Sequence, residues 1–126
     1  MTGASKHLDI RLERVYSVGP HAGAGYRILV DRLWPRGVSK SEAGLDEWAK
    51  DVAPSTALRR WYGHDVQRFA EFARRYRAEL TQPPASIALR HLAEVAGART
   101  VVMLTATRDI EHSGAWVLLQ SLLRTK

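Results

Sequence analysis

The chain contains no cysteine, which removes disulfides, thiolate metal sites and cysteine nucleophiles together. That absence is compatible with a reducing compartment. Long apolar runs are missing too. No stretch approaches the ~18–20 residues that span a bilayer, and residues 1–10 lack the apolar core of a secretion signal. A cytoplasmic setting with no membrane partner is the expectation. The sequence has no internal repeat, no low-complexity segment, no P-loop, no GxGxxG or GxSxG string and no recognisable DNA-binding helix-turn-helix. Gly19–Gly25 is glycine-rich, but it precedes a strand where phosphate loops precede a helix. His64, His112, Asp31 and Asp109 show no diagnostic ligand spacing, so no metal site is expected. No cofactor is named by any motif.

At 126 residues the chain is long enough to bury roughly two-thirds of its unfolded surface in one domain. Its 45% hydrophobic and 25% charged residues place it with globular proteins and not with disordered ones. The net charge is +6, and 15 of its 19 basic residues are arginine. A guanidinium is a planar fork of donors that fits phosphate and carboxylate bidentately, so an anionic partner is favoured. The ordinary alternative is solubility, since the charges form neither a basic tail nor a single basic helix.

Alternating apolar residues predict a first strand over 8–18, and Gly25 to Leu33 reads as a central one ended by Trp34-Pro35-Arg36-Gly37. Ser39 or Ser41 is expected to cap a short helix covering Leu45 and Trp48. Ser55 should cap another, stopped by Gly63. Asp65 should cap the longest helix, to about Leu80, where apolar residues recur at i, i+3, i+4 spacing. A helix over about 85–96 should end at Gly97. Thr100 to Ala106 reads as a buried parallel strand, and 110–123 as a last helix. Strands separated by helical segments predict an α/β domain, a small parallel or mixed sheet covered by helices, over residues 1–126 with 1–7 lacking regular structure.

Polar residues gather where two strands end: Asp31 and Arg32 after the second, Thr105, Thr107, Arg108 and Asp109 after the later one. If these strands are parallel neighbours, both sets share the rim on which open α/β sheets build ligand sites. Arg32 and Arg36 can then clamp an anion by charge-assisted hydrogen bonds, with Asp31 orienting an arginine or acting as a base. Ser55 at a helix start and Arg59 one turn in would lie near an anion. Asp109 and His112 can form a carboxylate–histidine acid/base pair. Each has a plainer role available: an Asp–Arg pair pinning the turn, Ser55 as a cap, His64-Asp65 as a helix start, Trp34 as packing.

Together Gly25-Tyr-Arg-Ile-Leu-Val-Asp-Arg-Leu-Trp-Pro-Arg-Gly37, Trp48-Ala-Lys50, Ala53-Pro-Ser55, Leu58-Arg59, Trp61-Tyr-Gly-His-Asp65, Phe72, Arg75-Tyr76, Glu79-Leu80 and Asp109 to Leu118 resemble the YeaO-like family. This is a bacterial family of small proteins known as a domain of unknown function. The resemblance covers about residues 9–123. It implies a cytoplasmic α/β domain whose shared polar positions fall on Asp31, Arg32, Arg36, Lys50, Ser55, Arg59, His64, Asp109 and His112. The chain departs from the pattern at Ser113, where relatives carry asparagine, and at Arg108.

The leading expectation is a binder of a small anionic or phosphorylated molecule, nucleotide-derived ones included, with enzymatic action open. Asp31, Asp109 and His112 are the catalytic candidates. Arg32, Arg36, Lys50, Ser55, Arg59 and His64 are the ligand-binding ones. The rival is a nucleic-acid-binding accessory module, in which the arginines contact phosphates and exposed Trp or Tyr side chains stack on bases, whereas the leading reading expects only weak, nonspecific nucleic-acid contacts. A partner-binding protein without chemistry is the third.

Overall fold

The computed structural model describes residues 8–17 and 25–124. Its organising element is the strand Val101–Thr105 (β4), buried along its whole length. Such a strand needs a neighbour on each edge and cover on each face. β1 (Ile10–Arg14) pairs with one edge and β2 (Tyr26–Leu29) with the other, while β3 (Glu47–Trp48) joins the far side of β2. All three pairings are parallel, in the order β1-β4-β2-β3. Arg14 lies opposite Thr105 and Leu29 opposite Leu104, so the carboxyl ends of β1, β2 and β4 share one rim.

Among the described residues, five α-helices accompany the sheet: α1 (Lys40–Ala43), α2 (Thr56–Tyr62), α3 (Phe69–Glu79), α4 (Ala85–Ala98) and α5 (Gly114–Arg124). The architecture is α/β, as the alternation of strands and helical segments predicts. Successive strand residues face opposite sides. Ile28, Val30, Val101 and Met103 join a core with Leu58, Phe72, Tyr76, Leu92, Leu118 and Leu122 of the helices. Leu29, Val102, Leu104 and Val15 form a smaller cluster packed against Trp34, Leu45 and Trp48. The Trp34 and Trp48 rings meet edge to face at 5.3 Å.

Several local expectations need correction. Ser39 does cap a helix, in a reciprocal box with Glu42, but Gly44 in the left-handed region (φ 56°) stops it after one turn. Leu45 lies beyond it, and Trp48 is a strand residue with its indole N–H on the Asp31 carbonyl at 2.8 Å. The longest helix is α4 and not α3: Asp65 caps a short 3-10 turn, Val66–Arg68, before α3 begins. Gly97 does not end α4, which continues to Ala98. A Cβ at Gly97 would meet nothing within 4 Å, so this glycine serves no turn. The last segment is split into a 3-10 turn, Ile110–His112, and α5. Val18, the connection at 19–24 and residues 1–7 lie outside the described residues.

Candidate ligand-binding cleft

β2 runs straight into Asp31, Arg32 and the Trp34-Pro35 turn, and β4 into Ala106, Thr107, Arg108 and Asp109. Because the two strands are parallel neighbours, their exits border one cleft of about 580 Å³. Asp31, Arg32, Arg36, Arg59, His64 and Asp109 all line it, and Arg108, Thr107 and Tyr16 complete its polar wall. Val30, Pro54, Tyr62, Phe72 and Ala115 supply an apolar one.

Asp31 ties the two strand exits together. Its Oδ1 accepts from the Thr105 hydroxyl at 2.7 Å and its Oδ2 from the Ala106 N–H at 2.8 Å. Burial pushes its carboxyl above the usual range, against the opposing pull of the Ala106 and Thr105 donors and of the nearby Arg59. A half-buried carboxylate kept proton-hungry at a strand end is characteristic of functional sites.

Arg32 does a different job. Its Nε donates to the Pro54 carbonyl and its Nη2 to the Ala53 carbonyl, both at 3.0 Å. The cleft wall at Val52–Ser55 is held twice more. Tyr76 donates its hydroxyl to the Val52 carbonyl. Glu79 accepts from the Ser55 N–H at 2.8 Å and from the Ser55 hydroxyl at 2.6 Å. Tyr76 and Glu79 stand three apart on α3, hence on one face. Ser55 also caps α2 by accepting from the Leu58 N–H. Its hydroxyl is thereby taken up, and Ser55 is not among the residues lining the cleft.

The remaining side chains divide clearly. Among the described residues, the Arg36, Arg59 and Arg108 guanidiniums make no hydrogen bond or salt bridge, and all three residues border the cleft. Arg36 is anchored through its carbonyl, which accepts from the Tyr16 hydroxyl at 2.8 Å. His64 borders it with a backbone φ of 57°, a strained conformation for a residue with a side chain. Lys50 lies elsewhere, its Nζ 4.8 Å above the Trp48 ring. His112 is not in the lining: its Nδ1 bonds Asp109 Oδ2 at 2.8 Å and its ring packs edge-on against Phe69 at 5.2 Å. The His112 carbonyl accepts from the Tyr62 hydroxyl at 2.6 Å. Burial and the charges of Asp109 and Asp65 push that phenol above its ordinary pKa.

Ser113 is buried, and its hydroxyl accepts from the Trp116 N–H as the cap of α5. Asparagine caps helices equally well, so an asparagine at this position would serve the same cap. Sequence reasoning quoted Glu79 for the family resemblance but gave it no role in the site. The signal for it was its i, i+3 spacing from Tyr76, but nothing local says that both reach the same loop. Among the described residues, no group of three or more His, Asp or Glu side chains is placed to hold a metal ion.

The family model described as "Inactive DUF488-N3 subclade" matches residues 9–126. The chain belongs to that family, the YeaO-like one. Uncharacterized proteins of Mycobacterium bovis and Mycobacterium tuberculosis are each 46% identical to it over 114 residues, 90% of this chain and 92% of theirs. The uncharacterized protein YeaO of Escherichia coli is 39% identical over 111 residues, 88% of this chain and 94% of its own. No solved structure matches. In this YeaO-like chain the strand-to-turn string at 25–37 borders the cleft from Val30 to Arg36.

Proposed function

We propose that the cleft binds a small anionic molecule, a phosphorylated one in particular, in a cytoplasmic setting. The observation that carries this is the convergence of Arg36, Arg59 and Arg108, whose guanidiniums make no hydrogen bond or salt bridge among the described residues, on one cleft at the carboxyl ends of parallel strands. Guanidiniums that stabilise a fold are tied to carboxylates or carbonyls, as Arg32 is. Unused ones facing a shared cavity are suited to a ligand's charge. The clamp in this reading is Arg36, Arg59 and Arg108, with His64 at the mouth and Arg32 holding the wall. Lys50 and Ser55 act at a distance, through the fold.

Binding without turnover is favoured. The matched family description speaks of an inactive subclade, and the His112 ring of the Asp109–His112 pair lies outside the cleft lining. Asp31 and Asp109 are then ligand contacts and not acid/base groups.

The test is thermal unfolding with and without inorganic phosphate, since a ligand that binds only the folded state raises Tm by mass action. Phosphate should raise Tm of the parent and not of Arg36→Ala or Arg59→Ala. Arg36→Ala itself should change stability by no more than about 1 kcal/mol, as befits an exposed side chain. A loss of several kcal/mol without ligand would make Arg36 a structural residue and remove it from the clamp.

A further inference from the structure

Asp31 presents a difficulty for any site meant only for anions. A carboxylate bordering the same cleft as Arg36, Arg59 and Arg108 repels the anion they attract, beyond what the nearby Arg59 offsets, and a fully deprotonated phosphoryl group offers it no hydrogen-bond donor. Its bonds to Thr105 and Ala106 occupy one lone-pair position on each oxygen. An ionised carboxylate has about four such positions, so acceptor capacity remains on a side chain that borders the cavity. Only a ligand bringing N–H or O–H donors satisfies it.

Size and wall chemistry point the same way. At about 580 Å³ the cleft lies within the ~300–1,000 Å³ typical of sites for organic ligands. Its Val30, Pro54, Tyr62 and Phe72 side is apolar. A bare ion would leave that wall against water, whereas a neutral ring would cover it.

Resting on the anion-binding reading above, we infer that the ligand is a phosphate monoester of a neutral ring bearing hydroxyl or amine donors. This is the chemistry that sugar phosphates and nucleoside monophosphates share. The phosphate sits among Arg36, Arg59 and Arg108, the ring lies on the apolar wall, and its donors reach Asp31.

The experiment is isothermal titration of the full chain with five probes: inorganic phosphate, ribose 5-phosphate, adenosine 5′-monophosphate, adenosine and cyclohexyl phosphate. The last is a monoester whose ring carries no donor. Ribose 5-phosphate or adenosine 5′-monophosphate should bind about tenfold more tightly than cyclohexyl phosphate, the margin expected for one hydrogen bond to a charged group. Whichever of the two is tighter tells sugar from nucleoside. Adenosine alone should bind more weakly than its monophosphate. In Asp31→Asn the margin over cyclohexyl phosphate should shrink severalfold. The probe comparison on the parent stands even if the variant fails to fold. Equal affinity for cyclohexyl phosphate and both donor-bearing esters overturns the inference and leaves the anion site intact. Tighter binding of inorganic phosphate than of every ester does the same. If no phosphorylated probe binds the parent, both the inference and the anion-binding reading fall.

Discussion

At Asp31, burial and hydrogen bonding pull in opposite directions, and burial wins: the carboxyl is raised above its usual 3.8. The folded state therefore holds the proton more tightly than the unfolded chain does. Asp31 contributes most to stability below about pH 3.8, and that contribution is lost as pH rises through the higher folded value. Asparagine keeps the shape, accepts from the Ala106 N–H and donates to the rotatable Thr105 hydroxyl. Asp31→Asn should thus match or exceed the parent in stability at pH 7, with the difference shrinking as pH falls toward 4. Chemical denaturation across that range measures it. A variant several kcal/mol less stable at neutral pH would show that the charge supports the fold. Arg32 behaves oppositely. Arg32→Ala leaves the Ala53 and Pro54 carbonyls without donors, which should cost about 1–3 kcal/mol.

Between elements, the wall of the cleft depends on contacts across 24 residues of chain, from Ser55 to Glu79 and from Val52 to Tyr76. Ser55→Ala loses both a helix cap and the partner of a carboxylate, and the cap alone is worth about 0.5–2 kcal/mol. A double-mutant cycle with Glu79→Gln should give a coupling energy of about 0.5–3 kcal/mol, the range found for residues in direct contact. A value near zero would mean that the two residues stabilise the wall independently. Where α5 meets that wall, Gly114 leaves no room. A Cβ there would stand 2.9 Å from the Pro54 Cγ. Helix propensity favours alanine over glycine by about 0.8–1.0 kcal/mol, but a displaced Pro54 is set by Arg32 and cannot give way freely. Overpacking of this kind costs about 1–3 kcal/mol. Gly114→Ala should therefore destabilise modestly and, because Pro54 borders the cleft, reduce phosphate binding.

Over the whole molecule, the +6 charge invites nonspecific attraction to nucleic acid as well as to small anions. Salt separates the two. Each nucleic-acid phosphate contacted contributes a slope of roughly −0.7 to −0.9 to log affinity against log salt. A cleft gripping one phosphate should show a shallow dependence and lose its binding with Arg36 or Arg59 alone. Much of the basic surface is already engaged: Arg74 and Arg75 share Glu71, and Arg68 and Arg75 flank the Trp61 ring. Nucleic-acid binding should accordingly be weak and largely gone at about 0.15 M salt. Tight binding there, insensitive to Arg36→Ala, would favour the accessory module instead. No helix among the described residues is long and apolar enough to cross a membrane.

What the sequence determined by itself is whatever local chemistry decides. The run at 101–105 reads as a strand buried on both faces, because it is short and rich in β-branched residues where a buried helix would be longer. Ser55 and Gly63 bound α2 because a hydroxyl and a left-handed glycine act on their own helix ends. The gathering of Asp31, Arg32, Arg36 and Asp109 on one rim followed from two strand ends, given parallel pairing. The tertiary structure alone decided the rest. A two-residue strand is too short to show a period, so Trp48 read as helical. Arg32 and Arg36 look alike along the chain. Only folding places the Ala53 and Pro54 carbonyls against one and leaves the other facing the cleft. His112 and Asp109 are three apart in either arrangement, yet the 3-10 turn sends the imidazole to Phe69 and away from the cleft lining. Spacing shows which groups can meet. Which of them remain free for a ligand depends on partners distant in sequence, and those the packing alone supplies.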